Sequence, residues 1–223
     1  MNESTLEKTE EKKLFIEKSL LLNLYANFEG FFRFSMEIYA QALNESNIDL
    51  HKTINVLLVS CLHSEFSKYD DSNRWIIQTN EEIGKVNQRI INRQILLENI
   101  NNTTRINKLQ LPISTNHQDK NSIIHTESNL NPIVIDKILF NLGLHNKLGL
   151  ASTEFNELMG RVSSFVKKRN GIAHGDNKNE YKNGLSSQKF EEYKTMYTKI
   201  TELVAPLISK SLNEKLYLKP EYR

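Results

Sequence analysis

From Leu21 to Leu43 the apolar residues Leu21, Tyr25, Phe28, Phe32, Met36, Tyr39 and Leu43 recur in steps of three and four. That spacing lays one stripe along an α-helix. A second stripe, Leu20, Leu24, Phe31 and Ile38, runs beside it. A helix apolar over so wide an arc needs cover on two sides, from neighbours within the chain or from neighbours plus a second subunit.

The same periodicity predicts helices from about Leu50 to Lys68 and from about Asn80 into Leu97. Between Asn99 and Asn131 the pattern breaks: Asn, Thr, Ser and His crowd in, and Pro112 interrupts. This stretch reads as a long irregular insertion, a candidate for substrate contact. Pro132 then opens a short helix, Ile133 to Leu142, closed by Gly143. Ser152 or Thr153 is placed to cap the most periodic helix of the chain, through Phe155, Leu158, Met159, Val162, Phe165 and Val166, with Lys167, Lys168 and Arg169 expected in its last turn. A final helix follows Ser186 or Ser187 through Tyr193, Tyr197, Ile200 and Val204, and Pro206 is expected to kink or end it. No internal repeat or sustained heptad is present. The fold class is all-α, read as a single domain over residues 1–223 with residues 99–131 as the insertion.

Composition narrows the function without naming it. The chain has 223 residues, 39% apolar and 25% charged, which suits one soluble globular domain. A net charge of +2 means that attraction to a polyanion must come from a local patch. One cysteine, Cys61, excludes an internal disulfide and fits a reducing compartment, so a cytoplasmic location is expected. No apolar run approaches the roughly 18 residues of a membrane span, so no membrane association is expected. His51, His63, His117, His125 and His145 show no zinc-ligand spacing, and no phosphate-cradling glycine loop is visible. Neither metal nor cofactor is expected.

The chemistry concentrates in Val166-Lys167-Lys168-Arg169-Asn170-Gly171-Ile172-Ala173-His174-Gly175-Asp176. Arg169 lies fourteen residues after Phe155 and four after Phe165, on the apolar stripe. A cation there is costly unless it is paired or faces a partner's groove. His174, five residues on and past a glycine, has room to turn back toward it. Such a pair meets the needs of RNA cleavage without a metal. A histidine of ordinary pKa near ~6.5 takes a proton from a ribose 2′-hydroxyl, and a guanidinium steadies the charge on the phosphorane. An Arg followed by His within four to six residues is expected by accident roughly 0.6 times in this composition, and roughly 0.08 times once Asn must follow the Arg. The bare spacing is weak, and the Arg-Asn form of it is moderately specific.

Arg169-Asn170-Gly171-Ile172-Ala173-His174 resembles the signature of the HEPN (higher eukaryotes and prokaryotes nucleotide-binding) domains: Arg, a polar residue, a few residues more, then His. The surrounding residues look like the stand-alone bacterial branch tied to defence loci. So do Tyr25-Ala26-Asn27-Phe28-Glu29-Gly30-Phe31 and Thr126-Glu127-Ser128-Asn129-Leu130-Asn131 leading into Leu142-Gly143. The resemblance implies an up-down helical bundle that pairs as a symmetric homodimer, with the two Arg/His segments facing each other across a cleft. It also implies metal-independent endoribonuclease activity leaving a 2′,3′-cyclic phosphate and a 5′-hydroxyl. On that basis Arg169 holds the scissile phosphate, His174 is base or acid, Asn170 orients one of them, and Glu29 supports from the first helix. Some relatives that act with a nucleotidyltransferase carry a Tyr two residues after the His. Asp176 stands there instead, so silencing by adenylylation is not supported.

Plainer readings stand beside these. His174-Gly175 is also a common helix stop. Lys167 and Lys168 are candidates for RNA phosphates or for a solvated helix end, and Glu29 for a structural hydrogen bond. The expected partners are RNA, with tRNA as a candidate, and a co-encoded antitoxin or defence ATPase that restrains a toxin or abortive-infection effector. The rival reading is a non-catalytic helical dimer that binds RNA or serves as regulatory subunit of a defence ATPase.

Overall fold

The computed structural model describes residues 3–62, 108–114, 119, 122–126, 129–145, 147–175 and 186–223. The helix expected over 80–97, the far end of the one expected over 50–68, and much of the 99–131 insertion lie outside the described residues. Those residues form an all-α protein of five helices: α1 (Glu3–Glu45), α2 (Asn55–Cys61), α3 (Pro132–Asn141), α4 (Ser152–Ala173) and α5 (Ser187–Asn213). Among them no strand forms; extended pairing is limited to the isolated bridges Asp49 to Lys108 and Thr53 to Leu218.

Several boundaries differ from the sequence reading; the helix expected from about Leu50 is split, with a separate 3-10 turn at Leu50–Lys52 and α2 starting only at Asn55. Helix α1 starts at Glu3, well before its apolar stripe, because Met1 to Lys13 is rich in Glu and Lys and holds no Gly or Pro to stop it. Helix α4 has Ala151, not Ser152 or Thr153, at its N-cap. There the Ala151 amide donates to the Glu154 carboxylate at 3.3 Å. Helix α5 runs through Pro206 to Asn213. The missing amide deprives the Glu202 carbonyl of its helical donor, a loss made cheap because both residues are exposed to solvent.

Contacts divide the chain into two compact units. The first comprises Met1–Ser35, Thr126–Lys137 and His145–Ser209. Its core is the first α1 stripe (Leu21, Tyr25, Phe28, Phe32) with Phe155, Val162 and Phe165 of α4 and Tyr193, Met196 and Ile200 of α5. Phe165 is its aromatic hub: ring centroids lie 4.8 Å away at Tyr193, 5.6 Å at Tyr25 and 6.0 Å at Phe28. Offset and tilted pairs at these distances each add about 0.5–1.5 kcal/mol beyond area burial. The second α1 stripe is covered less, with Leu20 48% exposed, and Phe34 on the same helix is 60% exposed.

The second unit comprises Met36–His125, Ile138–Leu144 and Lys210–Arg223. Helix α3 ends there by the mechanism expected of Gly143, whose φ is +69°. The Leu144 amide reaches the Leu139 carbonyl at 2.8 Å and the Gly143 amide that of Phe140 at 2.9 Å, a Schellman closure. Buried Tyr39 and Ser211 share a hydroxyl–hydroxyl bond of 2.8 Å. The Asn44 side chain clamps the Leu111 backbone, donating to its carbonyl at 3.0 Å and accepting from its amide at 2.7 Å. Where the insertion is described it is anchored, with Leu109, Leu111, Ile123 and Ile124 all buried.

Candidate active site

All the sequence-predicted site residues fall in the first unit, on α4 and α1. Helix α4 does not stop after Arg169. Gly171 is helical and buried, and the helix runs on to Ala173 with His174 at its C-cap. The terminator is Gly175, whose φ of +64° is the left-handed conformation glycine adopts without strain. Its amide donates to the Ile172 carbonyl at 3.2 Å, and that of His174 to Asn170 at 3.0 Å. The His174-Gly175 pair is thus a helix stop. Lys167, Lys168 and Arg169 precede the last turn, which contains no basic residue.

Arg169 is half-buried on the interior stripe, as its spacing from Phe155 and Phe165 requires. Its guanidinium carbon lies over the Tyr25 ring, 4.4 Å from the centroid, a cation–π contact. Nη1 donates to the Asn170 side-chain oxygen at 2.8 Å. Among the described residues no carboxylate forms an ion pair with it. An arginine has five N–H donors, and Asn170 takes one of them.

Tyr25 is 1% exposed. Its hydroxyl accepts the Leu130 amide at 2.7 Å and donates to Glu29, one turn further along α1. Burial first, then the Glu29 charge, pushes its pKa up to about 12, against the opposing effects of the Leu130 amide and Arg169. The ring therefore stays neutral throughout the physiological range. Glu29 is half-buried. The structure thus gathers Arg169 and Glu29 around Tyr25, with Asn170 joined through Arg169.

His174 is not part of that cluster. Five residues of helix place it about 140° around the axis from Arg169 and about 7.5 Å along it. Its side chain is exposed, and the two residues share no hydrogen bond. The expectation that the chain turns back after Gly171 is corrected, because Gly171 continues the helix. Lys167 is exposed and Lys168 half-buried on the same segment. Asp176 lies outside the described residues.

Sequence reasoning gave Tyr25 no role in the site, although it heads the Tyr25-to-Phe31 stretch that carries part of the resemblance. The available signal was its spacing of four from Glu29, which puts both on one face of α1. The Leu130 amide left no signal in residue type, being backbone. A groove between α4 and α5 is lined by Arg161, Ser164 and Tyr193 among others, and within its lining Lys189 pairs with Glu192 at 2.6 Å. Among the described residues no group of three or more His, Cys, Asp or Glu gathers for a metal ion, and no helix is long and apolar enough to cross a membrane.

A family model described as RiboL-PSP-HEPN matches residues 2–214, which takes in α1 to α5 and every residue of the cluster. No curated protein and no solved structure matches the chain.

Proposed function

Since the chain belongs to the RiboL-PSP-HEPN family, whose HEPN domains are of nucleotide-binding or ribonuclease type, we propose that it is a metal-independent endoribonuclease. The observation that carries the reading is Arg169: a half-buried cation with an amide and an aromatic face for neighbours and, among the described residues, no carboxylate paired with it. Holding a desolvated charge in that state costs stability unless an anion completes it, and a phosphodiester is an anion that an arginine fork matches.

In this reading Arg169 grips a non-bridging phosphate oxygen, and Asn170, accepting from Arg169, turns its own amide N–H groups toward the same anion. His174 removes the 2′-hydroxyl proton; the 2′-oxygen attacks phosphorus, and the 5′-oxygen leaves with a proton. The products are a 2′,3′-cyclic phosphate and a 5′-hydroxyl end. Glu29 supports from α1, and Lys167 and Lys168 contact flanking phosphates. Because His174 diverges from Arg169 on one helix, the site is completed when two copies bring their Arg/His segments face to face. The exposed apolar side chains Leu20 and Phe34 on α1 support pairing. RNA is the substrate, tRNA the candidate class. A cytoplasmic enzyme of this kind needs restraint, so the role proposed is a toxin or abortive-infection effector held by a co-encoded antitoxin or defence ATPase.

The test is incubation of purified protein with total tRNA in EDTA beside Arg169→Ala and His174→Ala. Cleavage that survives chelator and disappears in both variants supports the enzyme. Intact RNA that is nonetheless bound identifies the non-catalytic RNA-binding dimer, the reading that the separation of His174 from Arg169 favours. Equal cleavage by all three proteins overturns the assignment of the site.

A further inference from the structure

We propose that Tyr25 is the positioning residue of the site: its ring holds one face of the Arg169 guanidinium, while the Leu130 amide and the Glu29 carboxylate fix the ring through its hydroxyl. This rests on the nuclease reading above and adds to it a residue that never meets RNA.

Tyr25 is too buried to touch a substrate, so any effect on the reaction passes through Arg169. An arginine side chain is long and flexible, and much of its advantage in holding a transition-state charge is lost if it must be ordered at the moment of reaction. The Tyr25 ring, itself held in place, removes that freedom. The ring sits 4.4 Å beneath the guanidinium carbon. The ring itself is wedged by Phe165 at 5.6 Å and Phe28 at 6.3 Å. Its hydroxyl is held from the loop before α3 by the Leu130 amide at 2.7 Å and from α1 by Glu29.

The choice of tyrosine follows. Phenylalanine would present the same face but leave the Leu130 amide without its acceptor and Glu29 without its donor. A ring is also a better neighbour than a carboxylate: it attracts the cation without neutralising it, so the full charge remains for a phosphate. Asn170, taking one N–H at 2.8 Å, sets the remaining rotation.

The test compares Tyr25→Phe, which keeps the ring, with Tyr25→Leu, which removes it. Tyr25→Met serves as companion should Tyr25→Leu not fold. Two readouts are taken on the full chain. The first is single-turnover cleavage of tRNA in EDTA over a range of RNA concentrations. The second, independent of catalysis, is the NMR resonance of the Arg169 Nε–H, which an aromatic face shifts upfield and which Arg169→Lys identifies by its loss. Tyr25→Leu is expected to lower the rate at saturating RNA roughly 3- to 30-fold, in proportion to the cation–π contact removed, with little change in the half-saturating concentration. Its Arg169 resonance moves downfield. Tyr25→Phe keeps the upfield resonance and loses much less rate.

A folded Tyr25→Leu or Tyr25→Met protein with an unmoved resonance overturns the proposal. So does a moved resonance with an unchanged rate, and so does an equal loss of rate in the ring-keeping and ring-removing variants. If the wild type cleaves nothing while the resonance follows the ring, the nuclease reading falls and the hold of Tyr25 on Arg169 stands.

Discussion

Removing the Tyr39 hydroxyl tests how the second unit is held. Tyr39 is fully buried and Ser211 is 1% exposed, and their oxygens are 2.8 Å apart. Tyr39→Phe deletes one partner and strands the Ser211 hydroxyl, which costs roughly 1–3 kcal/mol when the orphan stays out of water. Ser211 lies in α5 and has an escape: its hydroxyl can turn toward the carbonyl one turn earlier, which puts Tyr39→Phe near the lower end of that range. Ser211→Ala has no such relief, because the Tyr39 hydroxyl sits on a rigid ring, so its loss lies near the upper end. With both hydroxyls gone nothing is stranded, and the double variant should lose less than the sum of the single losses by about 1–2 kcal/mol. Urea unfolding of the four proteins at constant slope reads all three differences. Additivity within about 0.5 kcal/mol would show that the two hydroxyls do not depend on each other.

Other expectations concern single positions. Gly143→Ala puts a Cβ 2.7 Å from the Ile54 Cδ1 on a backbone with φ of +69°; it should cost about 1–3 kcal/mol, read as a lower urea midpoint. Gly160→Ala, helical with nothing within 4 Å of the new methyl, should instead gain about 0.5–1 kcal/mol. The Asn131 side-chain oxygen accepts the Ile133 amide at 2.9 Å and the Val134 amide at 3.1 Å, so Asn131→Ala should cost about 1 kcal/mol through loss of this cap on α3, again by urea unfolding. Tyr25 and Tyr39 are pushed mainly by burial from an ordinary 10.0 up to about 12. The folded state holds these protons more tightly, so their contribution is complete below pH 10 and drains away as pH rises toward 12. Thermal melts across that window should show falling stability, with a shallower fall in Tyr39→Phe.

Much of this architecture is legible in the spacing of apolar residues. The core stripe of α1 is buried as its period demands, from Leu21 to Leu43. Helix α3 lies between Pro132 and Gly143 because those two residues are suited to its start and its stop. What escaped the pattern are places where one residue type permits two outcomes. Gly171 reads as a break but sits within α4, and Pro206 reads as an end but lies on the water side of α5, where a lost bond is cheap. In the site, Arg169, Asn170 and His174 are visible because charge and polarity stand out against an apolar helix. Tyr25 is hidden because a buried tyrosine looks the same in sequence whether it fills space or holds a cation. The Leu130 amide has no letter at all.

Pro206 leaves the ladder of α5 with one rung missing, and a rod so notched does not breathe uniformly. Upstream, residues 193–204 carry the buried Tyr193, Met196, Ile200 and Val204, and opening there must break packing and backbone bonds together. Downstream, 207–213 bury only Leu207 and Ser211, so unwinding there breaks less packing once the Ser211 hydroxyl lets go of Tyr39. Deuterium should therefore enter the tail of the rod first, and the Tyr39 hydroxyl is the latch that sets how soon.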